Sequence, residues 1–250
     1  MGMQFEPLKG FRDPHAGLYW ATHLGKDSWP KVRVAPHLPS RFERFGSEEQ
    51  WGTVPPFEIR PGDQPSRTQF LNPGEDRMVQ LQDTRLHYNW VKKNGEYPSY
   101  EALLPEFRKE LARFQVFSAK EGLGEVKPNQ WEITYVNHVP AGSLWSPGDD
   151  WSTLFPWLKA PASKLVAFDT MTATWRLVIG DSQGRLHIKL VRAPHPDKGD
   201  LLILDLTARG PAAEHEESLQ DGLSLGHDAI VFSFAEMTSE RAHQEWGRYQ

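Results

Sequence analysis

YPSYEALLPEFRKELARFQVFSAKEG, residues 97–122, is followed after a short break by WEITYVNHV, residues 131–139. The change of period between the two stretches decides the fold class. In the first, Leu103, Leu104, Phe107, Leu111, Phe114 and either Val116 or Phe117 recur every three to four residues, the buried stripe of an amphipathic helix. Ser99 is the candidate N-cap, Pro105 falls early enough to be tolerated with a bend, and Gly122 and Gly124 end the helix. In the second, Trp131, Ile133, Tyr135, Asn137 and Val139 alternate with Glu132, Thr134, Val136 and His138, the period of a strand. The first set is the expected core face, which turns His138 outward.

Outward from this pair, more strands and helices follow. MVQLQDTRLHYNWV, residues 78–91, predicts one long strand with Met78, Gln80, Gln82, Thr84, Leu86, Tyr88 and Trp90 on one face. Three further strands are expected at 164–179, 184–193 and 200–208, joined by turns at 181–184 and 195–200. A helix is expected from about 211 to 225. HDAIVFSFAEM, 227–237, reads as a last strand or a helix start, and Thr238 or Ser239 caps a terminal helix. Near the beginning, Asp13-Pro14 opens a short helix that Gly25 stops.

These elements predict an α+β fold, an antiparallel sheet with helices packed on one face. The order allows two pseudo-repeated halves, an arrangement that resembles helix-grip or saddle-like domains. TRLHYNWVKK at 84–93 echoes GRLHIKLVRA at 184–193, an echo equally readable as coincidence between two amphipathic strands. The expected division is 1–125, an N-terminal half carrying a proline-rich extended arm at about 26–75, and 126–250, a C-terminal half, together in one compact body. Proline removes a donor and fixes φ, so the arm is expected to be extended chain wrapping the body rather than long helix or central sheet.

Composition narrows the function classes. Ten Trp and thirteen Phe supply a core despite a hydrophobic fraction of only 38%. The formal net charge of −5 argues against a protein that coats DNA or an anionic membrane, and leaves a local basic surface open. No cysteine is present, which excludes disulfides, thiolate zinc sites, iron–sulfur clusters and a cysteine nucleophile within the chain. MGMQFEPLKG has no apolar leader and no window approaches a membrane span, so a cytoplasmic location is expected.

Chemistry-bearing patterns are sparse. GxGxxG and GxxxxGK[ST] are both absent, and GDSQG at 180–184, which has the letters of GxSxG, falls in the turn expected between two strands. HEE at 215–217 lacks the second histidine of HExxH, and His138 has no partner histidine at ligand spacing. Asp149 and Asp150 could hold Mg²⁺, or cap a turn in front of Trp151. The remaining signal is SWPKVRVAPHLPSRFERF, 28–45, where Lys31, Arg33, Arg41 and Arg44 interleave with Trp29, His37, Phe42 and Phe45. Three readings stand in order: an arm covering its own core, an arm docking on a protein, and a phosphate-and-base surface for nucleic acid.

LHYNWVKKNGEYPSYEALLPEF, WEITYVNHVPAG and the ending LGHDAIVFSFAEMT…WGRY resemble a sporadically distributed, uncharacterised prokaryotic family that carries only a provisional name. The resemblance covers roughly residues 78–250, brings no activity or catalytic residues with it, and through its patchy distribution implies defence-related loci. The expected function is a non-enzymatic binding or adaptor subunit of a prokaryotic assembly, in antiviral defence. A protein partner comes first and nucleic acid after it; no cofactor, metal or membrane is expected. Its binding residues are expected to be Trp29, Lys31, Arg33, Arg41, Arg44 and His138. The alternative is a metal-dependent hydrolase or nuclease using His138, Asp149, Asp150, His215 or His227.

Overall fold

Ser99 starts the long helix as its sequence demands, its side chain accepting from the Ala102 N–H, and helix α2 runs Tyr100–Lys120. Leu104, Phe107, Leu111, Phe114 and Phe117 form the buried stripe, while Val116 is exposed. Gly122 closes the helix at φ 63°, a left-handed position that favours glycine. The protein is seen here as a computed structural model that describes residues 1–39, 43, 66–93, 98–148, 151–158, 165–166, 168–181, 183–212 and 216–247.

The strands are β1 Gly2–Phe5, β2 Lys31–Ala35, β3 Arg67–Leu71, β4 Arg77–Gln82, β5 Arg85–Trp90, β6 Pro128–Pro140, β7 Ala173–Ile179, β8 Gly184–His195 and β9 Gly199–Pro211. They form an antiparallel sheet in the order β2-β3-β4-β5-β1-β6-β9-β8-β7. Besides α2 there are α1 Asp13–Tyr19, continued by a π turn Trp20–Leu24, α3 Glu216–Met237 and α4 Glu240–Glu245. This is the expected α+β class.

Two compact units divide the chain, one of 1–132 with 210–223 and one of 133–209 with 224–250. In the first, β2 to β5 form a meander and β1 lies against the last of them, pairing Met3 with Leu86 and, on its other side, with Trp131. In the second, β7 to β9 form a meander and β9 neighbours β6. Each unit therefore opens with a strand that ends beside the last strand of its own meander. The strand equivalent to β5 is β9, so the echo between β5 and β8 joins strands in different places.

The core of the first unit is aromatic. Tyr19 of α1 meets Phe70 of β3 edge-on at 6.2 Å and Phe114 of α2 at 5.6 Å, and Phe5 of β1 meets Phe114 at 5.8 Å. Both helices thus cover the sheet face that carries Phe5, Phe70, Val79, Leu81 and Leu86, all buried. In the same unit α3 crosses the sheet at Trp131, which is 1% exposed and lies where a side chain on Gly222 would be. The core of the second unit joins an aliphatic layer on the sheet, Leu186, Ile188, Leu190, Leu204 and Leu206, to the buried rings of Trp145, Trp151 and Phe155. Tyr135 of β6 bonds His227 of α3 at 2.7 Å, which puts the helix on that same side.

The strand expected at 164–179 begins only at Ala173, the helix expected from 211 begins at Glu216, and three further expectations need correction. Residues 78–91 are not one strand but the hairpin β4–β5, with Gln82 opposite Arg85 and only Asp83-Thr84 between. Neither turn residue has a positive φ, so the usual Asn-Gly or Asp-Gly signature is missing. Tertiary bonds hold the turn instead: the Asp83 carbonyl accepts from Leu8 N–H, the Thr84 carbonyl from Phe5 N–H, and the Thr84 hydroxyl from Gln82 Nε2. Residues 227–237 continue α3 and form no strand. Within the expected arm, 67–71 is β3, paired on both sides.

Candidate interaction surface

Strand β2 lies at one end of the sheet and, among the described residues, pairs with β3 alone. Its side chains alternate. Lys31 and Arg33 point to the face away from the helices and are more than half exposed. Both reach Glu75, Arg33 at 3.1 Å, and Lys93 approaches the same carboxylate at 3.9 Å. The Lys31 hydrogen bond and charge, with Arg33 and Lys93, hold the Glu75 carboxyl below its usual range.

Glu75 is placed by the β3–β4 turn. Its N–H donates to the Asn72 carbonyl at 3.0 Å, Asn72 Nδ2 donates to Asp76 Oδ1 at 2.7 Å, and Asn72 Oδ1 accepts from Arg77 N–H at 3.1 Å. Glu75 itself sits at φ 54°, left-handed backbone that only a tightly bonded turn imposes on a non-glycine residue. The opposite face of β2 carries Val32, 41% exposed, and Val34, 72% exposed. Three cations around one carboxylate on one face, and uncovered valines on the other, make this edge basic and apolar by turns.

After β2 the arm is tied to its own sheet. His37 Nε2 meets Asp83 at 2.8 Å. The Gln82 side-chain amide grips Leu38 on both sides, accepting from its N–H at 3.1 Å and donating to its carbonyl at 2.9 Å. Arg85 donates to the Pro39 carbonyl and to Gln4 Oε1, each at 2.9 Å. Alongside runs an amide ladder in which Gln69 donates to Gln80 at 3.0 Å and Gln80 to Asn89 at 2.8 Å. Gln4, Gln80, Gln82, Arg85 and Gln130 are buried. Polar groups so enclosed fix register more than they add net stability.

The residues expected to bind a partner separate. Lys31 and Arg33 are together at the edge. Trp29 is buried in the core of the first unit, edge-on to Tyr88 at 6.3 Å, its carbonyl accepting from Trp20 Nε1 at 2.7 Å. A tryptophan so placed offers no ring for stacking. Arg41 and Arg44 lie outside the described residues, as do Asp149, Asp150 and His215. His138 is exposed near the end of β6 in the second unit, on the face with Thr134 and Val136. Among the described residues no three His, Asp or Glu side chains are grouped to hold a metal ion, and no helix is long and apolar enough to cross a membrane.

A second charged surface escaped the sequence reading. On β7 and β8, Arg176, Arg185, His187 and Lys189 occupy the face opposite the aliphatic core. The signal was present in GRLHIKLVR, where Arg185, His187 and Lys189 fall at every second position. Comparison with family models, curated proteins and solved structures returned no match for the chain.

Proposed function

We propose that this chain is a non-catalytic binding subunit of a prokaryotic assembly, and that it receives an extended segment of a partner protein at the outer side of β2. The observation that supports this reading is strand β2, which among the described residues pairs with β3 alone, with Val34 72% exposed on one face and Lys31 and Arg33 on the other. An edge strand presents unpaired backbone donors and acceptors that a second chain can extend as a new strand. Alternation then sets the partner's character: apolar residues opposite Val32 and Val34, acidic residues opposite the cations around Glu75. Antiviral defence is the process that the family resemblance proposes for the assembly.

The test is a pull-down of tagged protein from a prokaryotic host, read by mass spectrometry and followed by hydrogen exchange on the purified complex. The expected partner is retained by wild type and lost by Val34→Pro and by Arg33→Glu, both with unchanged melting temperature. It slows amide exchange across 31–35. A partner held equally well by both variants, or one protecting other segments and not β2, refutes the reading.

A further inference from the structure

We propose that the outer face of the β7–β8 hairpin in the second unit binds the phosphate backbone of duplex nucleic acid, without regard to sequence. The register of β7, β8 and β9 lines up three rows of side chains on the part of that face nearest the β7–β8 turn, before Val191 pairs with Ile203. Val178 stands opposite Arg185 and Arg185 opposite Arg209; Arg176 opposite His187 and His187 opposite Thr207; Thr174 opposite Lys189 and Lys189 opposite Asp205. Residues paired across antiparallel strands share a face, so these rows form one basic grid. Leu186, Ile188, Leu190, Leu204 and Leu206, which alternate with them, are all buried on the other side.

The charge of the grid opposes that of the chain. The three rows hold four cations, of which Arg176, Arg185 and Lys189 reach the surface while Arg209, like Thr207, is buried, and one carboxylate, Asp205, which accepts from Thr207 Oγ1 at 2.9 Å. The chain as a whole carries −5. A surplus gathered on one face of an acidic protein gives a local positive potential that composition conceals. Arg176 and Lys189 on neighbouring strands are exposed, and Arg185 and His187 are half-buried beside them. Arg176, Arg185, His187 and Arg209 make other contacts as well, and the test removes Arg176 and Lys189 because both are exposed.

The kind of polyanion follows from what fills the rows. A protein-binding surface centres on a desolvated aromatic or aliphatic anchor, and the only apolar side chain in these rows is Val178. A single strand is held by aromatic rings on which bases stack, and no Trp, Tyr or Phe occurs in the rows. Spaced cations on a regular surface, without anchors or stacking platforms, match the contacts that position a protein on duplex phosphates.

The test is fluorescence anisotropy of the full chain with a labelled DNA duplex and an RNA duplex of the same sequence, over a series of salt concentrations. If Arg176, Arg185 and Lys189 engage phosphates, log K falls with log salt at a slope of about −3. Arg176→Glu with Lys189→Glu is expected to weaken binding about tenfold or more and to reduce the slope by about two-thirds. Arg176→Gln with Lys189→Gln gives the same direction should the charge reversals unsettle the fold, which melting curves of each variant reveal. Lys31→Glu with Arg33→Glu leaves duplex binding unchanged, which keeps this proposal separate from capture at β2. Preference for one duplex identifies DNA or RNA as the ligand. Polyglutamate bound in preference to both duplexes, no salt-dependent binding at low ionic strength, or binding indifferent to Arg176 and Lys189 would each overturn it.

Discussion

Replacing Gly222 by alanine tests the packing of α3 on the sheet. A β-carbon built on Gly222 falls 2.3 Å from Trp131 Nε1, 2.4 Å from Cδ1 and 2.9 Å from Cε2. Ordinary carbon contacts lie at about 3.5–4.0 Å, so helix or indole must move by more than about 1 Å. Trp131, fully enclosed on a strand, has little room to yield. Overpacking of this kind costs about 1–3 kcal/mol, while alanine in place of glycine inside a helix returns about 0.5–1 kcal/mol. The expected net loss is about 1–2 kcal/mol, a fall of some 2–8 °C in melting temperature for a chain of this size. Gly17 supplies the control. It is exposed in α1 with nothing within 4 Å of a built β-carbon, so Gly17→Ala is expected to stabilise by about 0.5–1 kcal/mol. Tryptophan fluorescence and circular dichroism against urea and temperature measure both. Gly222→Ala as stable as wild type, or stabilised like Gly17→Ala, refutes the close seat of α3 on Trp131.

Tyr19→Phe probes a hydroxyl that is buried without a hydrogen-bond partner among Phe70, Phe114 and Phe117. Deleting an unsatisfied polar atom relieves a desolvation penalty of about 1–3 kcal/mol, so the variant is expected to be as stable as wild type or more so, and clear destabilisation in urea would contradict this. Glu110→Gln probes pH dependence. Burial raises the Glu110 carboxyl above its usual range despite Arg113 at 2.7 Å. A raised folded value means that the acid's contribution is fully present below the unfolded value and is lost as pH rises through the folded one. Glutamine does not titrate, so the variant is expected to gain on wild type as pH climbs from below the ordinary carboxylate range towards neutrality. A wild type that gains instead would show that Arg113 outweighs burial.

The parts of the fold legible in the sequence are those where one local period runs undisturbed. Ser99, the Phe107–Phe114 stripe and Gly122 define α2 without help from elsewhere, and the alternation from Trp131 to Val139 predicts the buried side of β6. Asp83-Thr84 was unreadable because its turn is held by Leu8, Phe5 and Gln82, residues that no local window joins to it as a group. An imperfect alternation, whose apolar side changes from Val79 and Leu81 to Leu86 and Tyr88, therefore passed for one strand. HDAIVFSFAEM defied reading for the opposite reason: a short apolar run fits strand and helix equally, and only continuity from Glu216 decides. The candidate surface was half legible. Lys31 and Arg33 stand where a basic strand would put them, but Trp29, four residues before Arg33, is claimed by Tyr88 and the core. Aromatic content alone does not separate a ring for stacking from one for packing.

Strand β1 also has a bearing on how the chain reaches this state. Its pairing partners lie at positions 85–87 and 128–132, so it can join the sheet only after most of the first unit and the start of β6 have been made. Until then the edges of β5 and β6 that it will occupy stand open. Contacts of such sequence separation demand loop closure before they return any stability, which slows folding. Insertion of β1 is thus expected to be a late kinetic step, and Met3 and Phe5, buried between elements synthesised long after them, to form native contacts mainly after the rate-limiting barrier.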